Sequence, residues 1–171
     1  RHKHLDEYEL DRIKENLNSY DELDKKVSDN FDLIKTSYLE NKVPKTEEQI
    51  IHNDLTVKNV IFENDKVKAF IDFGNVRKGS VFIDIAFSCF RFSVFKTEDL
   101  NLIKKRIELF LASYSKINHI KNKNHLNIFY KDEILNRISY ILRSHYFHHD
   151  KNWGFEMEKH INHLKIVDRI F

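Results

Sequence analysis

The residues with most to offer chemically lie between positions 51 and 75. The segment Ile51-His52-Asn53-Asp54-Leu55-Thr56-Val57-Lys58-Asn59-Val60-Ile61-Phe62 carries the carboxylate of Asp54 and the carboxamide of Asn59. A little further on, Phe70-Ile71-Asp72-Phe73-Gly74-Asn75 adds a second carboxylate, Asp72. Two or three oxygen donors gathered beside one turn suit a hard cation such as Mg²⁺, which takes carboxylate and amide oxygens and keeps some of its water. A carboxylate that the cation does not need is free to orient a hydroxyl group and accept its proton. Holding metal-bound phosphates and aiming a nucleophile are the two tasks that phosphoryl transfer sets a protein.

The surrounding elements must bring these groups together. Val60-Ile61-Phe62 and the run from Val67 to Ile71 are apolar and rich in β-branched residues, and Glu63-Asn64-Asp65-Lys66 between them has a turn composition. This predicts a β-hairpin. A hairpin joins its two ends, so Asn59 at the start of one strand is expected near Asp72 at the end of the other, with Asp54 on the preceding loop. Gln49-Ile50-Ile51 is a further short strand candidate. The rest of the chain has helical periodicity. Leu5, Tyr8, Leu10, Ile13, Leu17 and Tyr20 form one series, and Leu23, Val27, Phe31, Ile34 and Tyr38 continue it as far as the boundary at Pro44. Ser80 is placed to cap a helix through Phe92, and Thr97-Glu98-Asp99 to open one reaching about Lys116. Two more helices are expected over about 127–146 and 155–170. The expected fold is mainly α with a small β-hairpin insert, in one domain: helical over 1–45, loop and hairpin over 46–79, helical over 80–171.

The order His52-x-Asp54-x-x-x-x-Asn59 followed by Ile71-Asp72-Phe73-Gly74 resembles the catalytic loop and metal-binding motif of the protein-kinase-like fold. More narrowly it is similar to the aminoglycoside phosphotransferase and choline kinase superfamily of small-molecule kinases. The resemblance implies a role for each matching residue. Asp54 is the catalytic aspartate that orients and deprotonates the acceptor hydroxyl. Asn59 and Asp72 are the Mg²⁺ ligands that hold the phosphates of ATP or GTP. His52 braces the catalytic loop, Phe73 packs, and Gly74 lets the chain turn after the metal ligand. Asp84, in Val81-Phe82-Ile83-Asp84-Ile85-Ala86, matches a structural aspartate that anchors a helix start against the catalytic loop. The acceptor is expected to be a small-molecule alcohol: an aminoglycoside, choline or ethanolamine, homoserine or a similar metabolite.

Two features separate the chain from protein kinases. Thr56 stands where they usually have lysine, and only nine residues separate Gly74 from Asp84, too few for a long activation segment. Within the resembled family, Asn53 replaces a common glycine and Asn75 a common second acid. The strand-rich N-terminal lobe of a kinase, with its phosphate-binding lysine and partner glutamate, has no counterpart before His52. The chain is therefore expected to be a C-terminal lobe only, inactive alone, with the N-terminal lobe missing; Arg1 in place of a starting methionine agrees with a longer natural chain. A non-catalytic kinase-like binding module is the alternative.

Composition narrows the classes. The 29 Lys and Arg residues against 27 Asp and Glu give a formal charge of +2, too small for a polyanion-binding field, so nucleic acid is not an expected partner. The single cysteine, Cys89, excludes an intrachain disulfide framework and fits a buried site in a reducing compartment. The apolar stretch from Val81 to Phe95 is interrupted by Asp84 and Arg91, so no membrane span is expected, and the N-terminus lacks a signal-peptide core. A cytoplasmic location follows as an expectation. Among weaker signals, His145, His148 and His149 with Asp150, and His160 with His163, are at spacings that can share a metal, but they read as helix-end and surface residues. Trp153, Phe155 and Tyr146 near Glu156 and Glu158 suit either a cationic alcohol or core packing, the second being favoured. The series Phe82, Phe87, Phe90, Phe92 and Phe95 reads as core, and Arg77-Lys78 as a solvated loop.

Overall fold

The structure, a computed structural model, describes residues 4–18, 21–118, 120, 122–150 and 152–170; Tyr20, which the periodicity included, lies outside them. It is mainly helical with two small antiparallel sheets. The chain forms two units. One draws on residues up to Lys42 and on Ile134–Val167, the other on Val43–Glu133 and the residues from Asp168. The helix α6, Lys123–Phe147, contributes to both.

The first unit contains α1 (Glu7–Glu15), α2 (Glu22–Asp29), α3 (Phe31–Glu40), the later part of α6, and α7 (Met157–Ile166). Asp6 and Glu9 close a capping box on α1, each side chain accepting the other's backbone N–H. The continuous series from Leu23 to Tyr38 is split in two at Asn30. Its side chain donates to the Lys26 carbonyl at 2.8 Å, satisfying the last turn of α2 at the point where the next helix begins. Leu10, Ile13, Val27, Ile34 and Ile138 are almost wholly buried. The Tyr38 hydroxyl meets the Leu135 carbonyl and Ser139 Oγ at 2.7 Å each. Arg143 grips Glu9 with two bonds of 2.8 and 2.7 Å, which raises the guanidinium's already high pKa further.

The second unit holds both sheets. In one, β2 (Val60–Glu63) pairs with β3 (Lys66–Phe70) as the expected hairpin. The turn residues Asn64 and Asp65 have φ of 49° and 59°, a left-handed pair that asparagine and aspartate tolerate and that matches strand twist. In the other, β1 (Glu48–Ile51) pairs antiparallel with β4 (Arg77–Ser80). Arg77 and Lys78 are thus exposed strand residues, not a loop: their backbone groups pair with β1 while their side chains stay in solvent. Gly79 is buried in this pair, and a Cβ there would lie 2.8 Å from Ile51 Cδ1, so a side chain would force that neighbour to shift.

Ser80 caps α4 (Val81–Ser93) as expected, accepting the Phe82 N–H at 3.2 Å. Helix α5 (Leu100–Ser115) begins later than Thr97, since Asp99 caps it through the Asn101 and Leu102 N–H groups and Thr97 Oγ1 receives the Asp99 N–H instead. The phenylalanine series is core only in part. Phe87 and Phe90 are buried, Phe82 and Phe92 are half-buried, and Phe95, past the helix end, is exposed. Cys89 is fully buried, and burial pushes its thiol well above its ordinary value. Among the described residues, no helix is long and apolar enough to cross a membrane.

Candidate active site

All the chemistry-bearing residues singled out between His52 and Asp84 belong to the second unit. Strand β1 ends at Ile51 and delivers the chain to a loop. Asn53 turns that loop in the left-handed region at φ 63°, which explains why a glycine is at home at such a position. The loop is held by α4. Asp84, in the first turn of that helix, accepts the His52 N–H at Oδ2 and the Asn53 N–H at Oδ1, both at 2.6 Å. Two charge-assisted bonds to adjacent amides fix the loop's course immediately before Asp54.

The His52 ring ties the same loop to the far end of the hairpin. Its Nε2 lies 3.0 Å from the Ile71 carbonyl, which can only accept, so Nε2 carries the hydrogen. The ring also packs on Phe73 with centroids 4.9 Å apart. The ring thus touches both the segment after the hairpin and the residue that follows Asp72.

Asn59 closes a short turn, Val57–Asn59, ahead of β2. Its Nδ2 donates to the Asp54 carbonyl at 2.7 Å and lies 3.5 Å from Asp54 Oδ2. Its own carbonyl accepts the Ile71 N–H at 3.0 Å, extending the hairpin one step beyond the Val60–Phe70 pair. The hairpin therefore brings Asn59 opposite Ile71, next in the chain to Asp72, as the spacing predicts.

Asp72 itself takes the left-handed conformation, at φ 62° and ψ 65°. The left-handed turn after Ile71 is made there and not at Gly74, whose φ is not positive. A Cβ at Gly74 would stand 3.4 Å from Asp72 Oδ1, so the missing side chain leaves room beside that carboxylate. Asn75 Nδ2 approaches Asp54 Oδ2 at 3.4 Å, a neighbour that sequence reasoning noted only as a substitution for an acid.

Four oxygens accept no hydrogen bond from the described residues: Asp54 Oδ1, Asn59 Oδ1 and both oxygens of the exposed Asp72 carboxylate. The donor set of one carboxamide and one carboxylate oxygen beside a turn fits a hard divalent cation such as Mg²⁺. Asp54, half-buried and steadied through Oδ2, keeps its other oxygen for a further partner.

The weaker signals fall elsewhere. His160 and His163 are buried in α7, not on its surface: they share the face formed by Met157, Ile161 and Leu164. Burial holds the His163 imidazole down at about 3. His148 and His149 are exposed, whereas His145 is nearly buried beside Asp24. The favoured core reading of the late aromatics does not hold for Phe155, which is 74% exposed, nor fully for Trp153, which meets Tyr140 edge-on but is 38% exposed.

A family model described as the phosphotransferase enzyme family matches residues 2–117, about two thirds of the chain and the whole of the loop, hairpin and α4. The chain belongs to that family, which agrees with the resemblance to aminoglycoside phosphotransferases and choline kinases carried by His52, Asp54, Asn59 and Asp72. Comparisons with curated proteins and with solved structures found no match.

Proposed function

We propose that the protein is a kinase that moves the γ-phosphoryl group of ATP, or of GTP, to a hydroxyl of a small molecule such as an aminoglycoside, choline, ethanolamine or homoserine. One relationship carries this reading. The Asn59 side chain bonds the Asp54 backbone while the Asn59 backbone bonds that of Ile71, so the base and the two metal ligands are tied into one unit.

Asp54 Oδ1 orients the acceptor hydroxyl and takes its proton. The acceptor oxygen bonds to the γ-phosphorus as the bond to the bridging oxygen breaks, and the nucleoside diphosphate leaves. Asn59 Oδ1 and Asp72 would hold Mg²⁺, which when bound neutralises charge on the phosphates. His52 and Asp84 touch no substrate and position the loop.

Helices α1–α3, the elements described before β1, offer no strand lysine to cover a nucleotide. The residues described are thus read as a C-terminal catalytic lobe, with the nucleotide's cover supplied outside them and with little turnover by residues 1–171 alone. A cytoplasmic setting, where ATP is at hand, belongs to the same reading.

The test is Mg²⁺-dependent nucleotide binding and phosphoryl transfer by the full natural chain. Asp54→Ala is expected to lower kcat by about 10²- to 10⁴-fold with nucleotide binding kept, and Asp72→Ala to remove Mg²⁺-dependent binding. Nucleotide binding that is absent, or indifferent to Asp72→Ala, would instead favour a non-catalytic binding module.

A further inference from the structure

Away from the loop and hairpin, the first unit brings together three groups that the proposed phosphoryl transfer does not use. Asp21 precedes α2 and caps it, accepting the Leu23 N–H at 2.9 Å through Oδ1. Asp24 lies one turn on and is buried. His145 lies in the last turn of α6. One potential ligand atom from each of the three lies within 4.8 Å of the others.

The histidine supplies an observation independent of the carboxylates. Its side chain is only 10% exposed, and its Nδ1 is buried without a hydrogen-bond partner. Its Nε2 stands 3.5 Å from Asp24 Oδ1 and makes no hydrogen bond of good geometry. Two ligands at about 2.1 Å from a tetrahedral ion are roughly 3.4 Å apart, so this separation is already that of two ligands sharing an ion. Asp24 is itself held in place: Oδ2 accepts the Asn18 N–H at 2.8 Å and Oδ1 accepts the Tyr146 hydroxyl. Such outer partners orient ligating carboxylates. Cavities of about 580 and 340 Å³ border the cluster, and His145 lines both.

We propose that Asp21, Asp24 and His145 bind a divalent transition-metal ion, with water completing its coordination. Two carboxylates and one imidazole suit Zn²⁺ or Mn²⁺; the imidazole disfavours Mg²⁺, which prefers an all-oxygen shell.

The test titrates the protein with Zn²⁺ in excess Mg²⁺, with Co²⁺ as a visible-absorption probe of the same site. One equivalent of Zn²⁺ is expected to bind and to raise the unfolding temperature. Asp21→Asn keeps the helix cap, since asparagine caps as well as aspartate, but removes a charged ligand. It should weaken Zn²⁺ at least as much as losing an outer-shell partner does, roughly ten- to a hundredfold. His145→Gln should abolish the Co²⁺ band. Absence of saturable Zn²⁺ binding overturns the proposal, and so does binding that survives either substitution unchanged, which would put the ion on other histidines.

Discussion

Asp84 stands 32 residues after His52, yet its Oδ2 holds the His52 backbone N–H at 2.6 Å, while its Oδ1 holds the next amide. The first turn of one helix thereby sets the position of a loop that arrives from a different strand. Asparagine at this position retains a single acceptor oxygen and turns an N–H₂ towards one of the two amides. Asp84→Asn is expected to cost about 2 kcal/mol of stability, the scale of a charge-assisted bond lost with its donor left unpaired. If the proposed phosphoryl transfer is assayed, kcat should fall with little change in nucleotide KM, because the loop is displaced and no substrate contact is lost. Denaturant unfolding and steady-state kinetics check the two effects, and unchanged stability would contradict the anchoring role.

Asn53 pays twice for its place, with a left-handed backbone and a buried Oδ1 that has no partner. Glycine removes both costs and keeps the N–H that Asp84 needs. Asn53→Gly is expected to stabilise the protein by about 1 kcal/mol. Asn53→Ala removes the unpartnered oxygen but keeps a Cβ in the left-handed region, where alanine fares worse than asparagine, so it is expected to gain less. The urea unfolding midpoint of Asn53→Gly should lie above those of Asn53→Ala and the parent chain.

The buried histidines of α7 make stability depend on pH. Burial, with smaller contributions from His160 and Lys159, holds His163 at about 3; burial also lowers His160, against the pull of Glu156. An unfolded histidine titrates near 6.5, so at lower pH the unfolded chain takes up protons that the folded chain refuses. For His163 the stabilisation is complete above about pH 6.5 and is lost as pH falls towards 3, at about 1.4 kcal/mol per pH unit, and His160 adds a loss of the same sign below about pH 6.5. The urea midpoint should drop from pH 7 to pH 5, and His163→Leu should flatten that slope. A slope that His163→Leu leaves unchanged would assign it to other groups.

How far the sequence could be read depended on whether the signal was local. The β2–β3 hairpin was legible because β-branched runs flank an Asn-Asp turn, and with it the pairing that brings Asn59 opposite Ile71. The β1–β4 pair was not, since it joins Glu48 to Ser80 across the whole loop and hairpin and one of its strands reads Arg-Lys-Gly-Ser. The left-handed turn at Asp72 left no trace in composition, because the adjacent glycine drew the expectation to itself. Residue type alone points His160 and His163 to the surface. Their spacing with Met157, Ile161 and Leu164 on one helical face was the signal that could have placed them inside. The break between α2 and α3 is made by the non-helical backbone of Asn30 and its side-chain bond to the Lys26 carbonyl, which periodicity cannot reveal.

The hairpin that carries Asn59 and leads to Asp72 has a cost of its own. It is a sheet of two strands, and Ile61, Phe62, Val67 and Phe70 on it are each 45% exposed or more. A two-stranded ladder has two open edges, each a template for pairing with another chain. Here the charges of Glu63, Lys66 and Lys68 lie on the same strands, with Lys68 Nζ bonded to Glu63 at 2.8 Å. They act as gatekeepers, so the colloidal solubility of the isolated chain rests on a few screenable charges beside the segment on which its proposed chemistry depends.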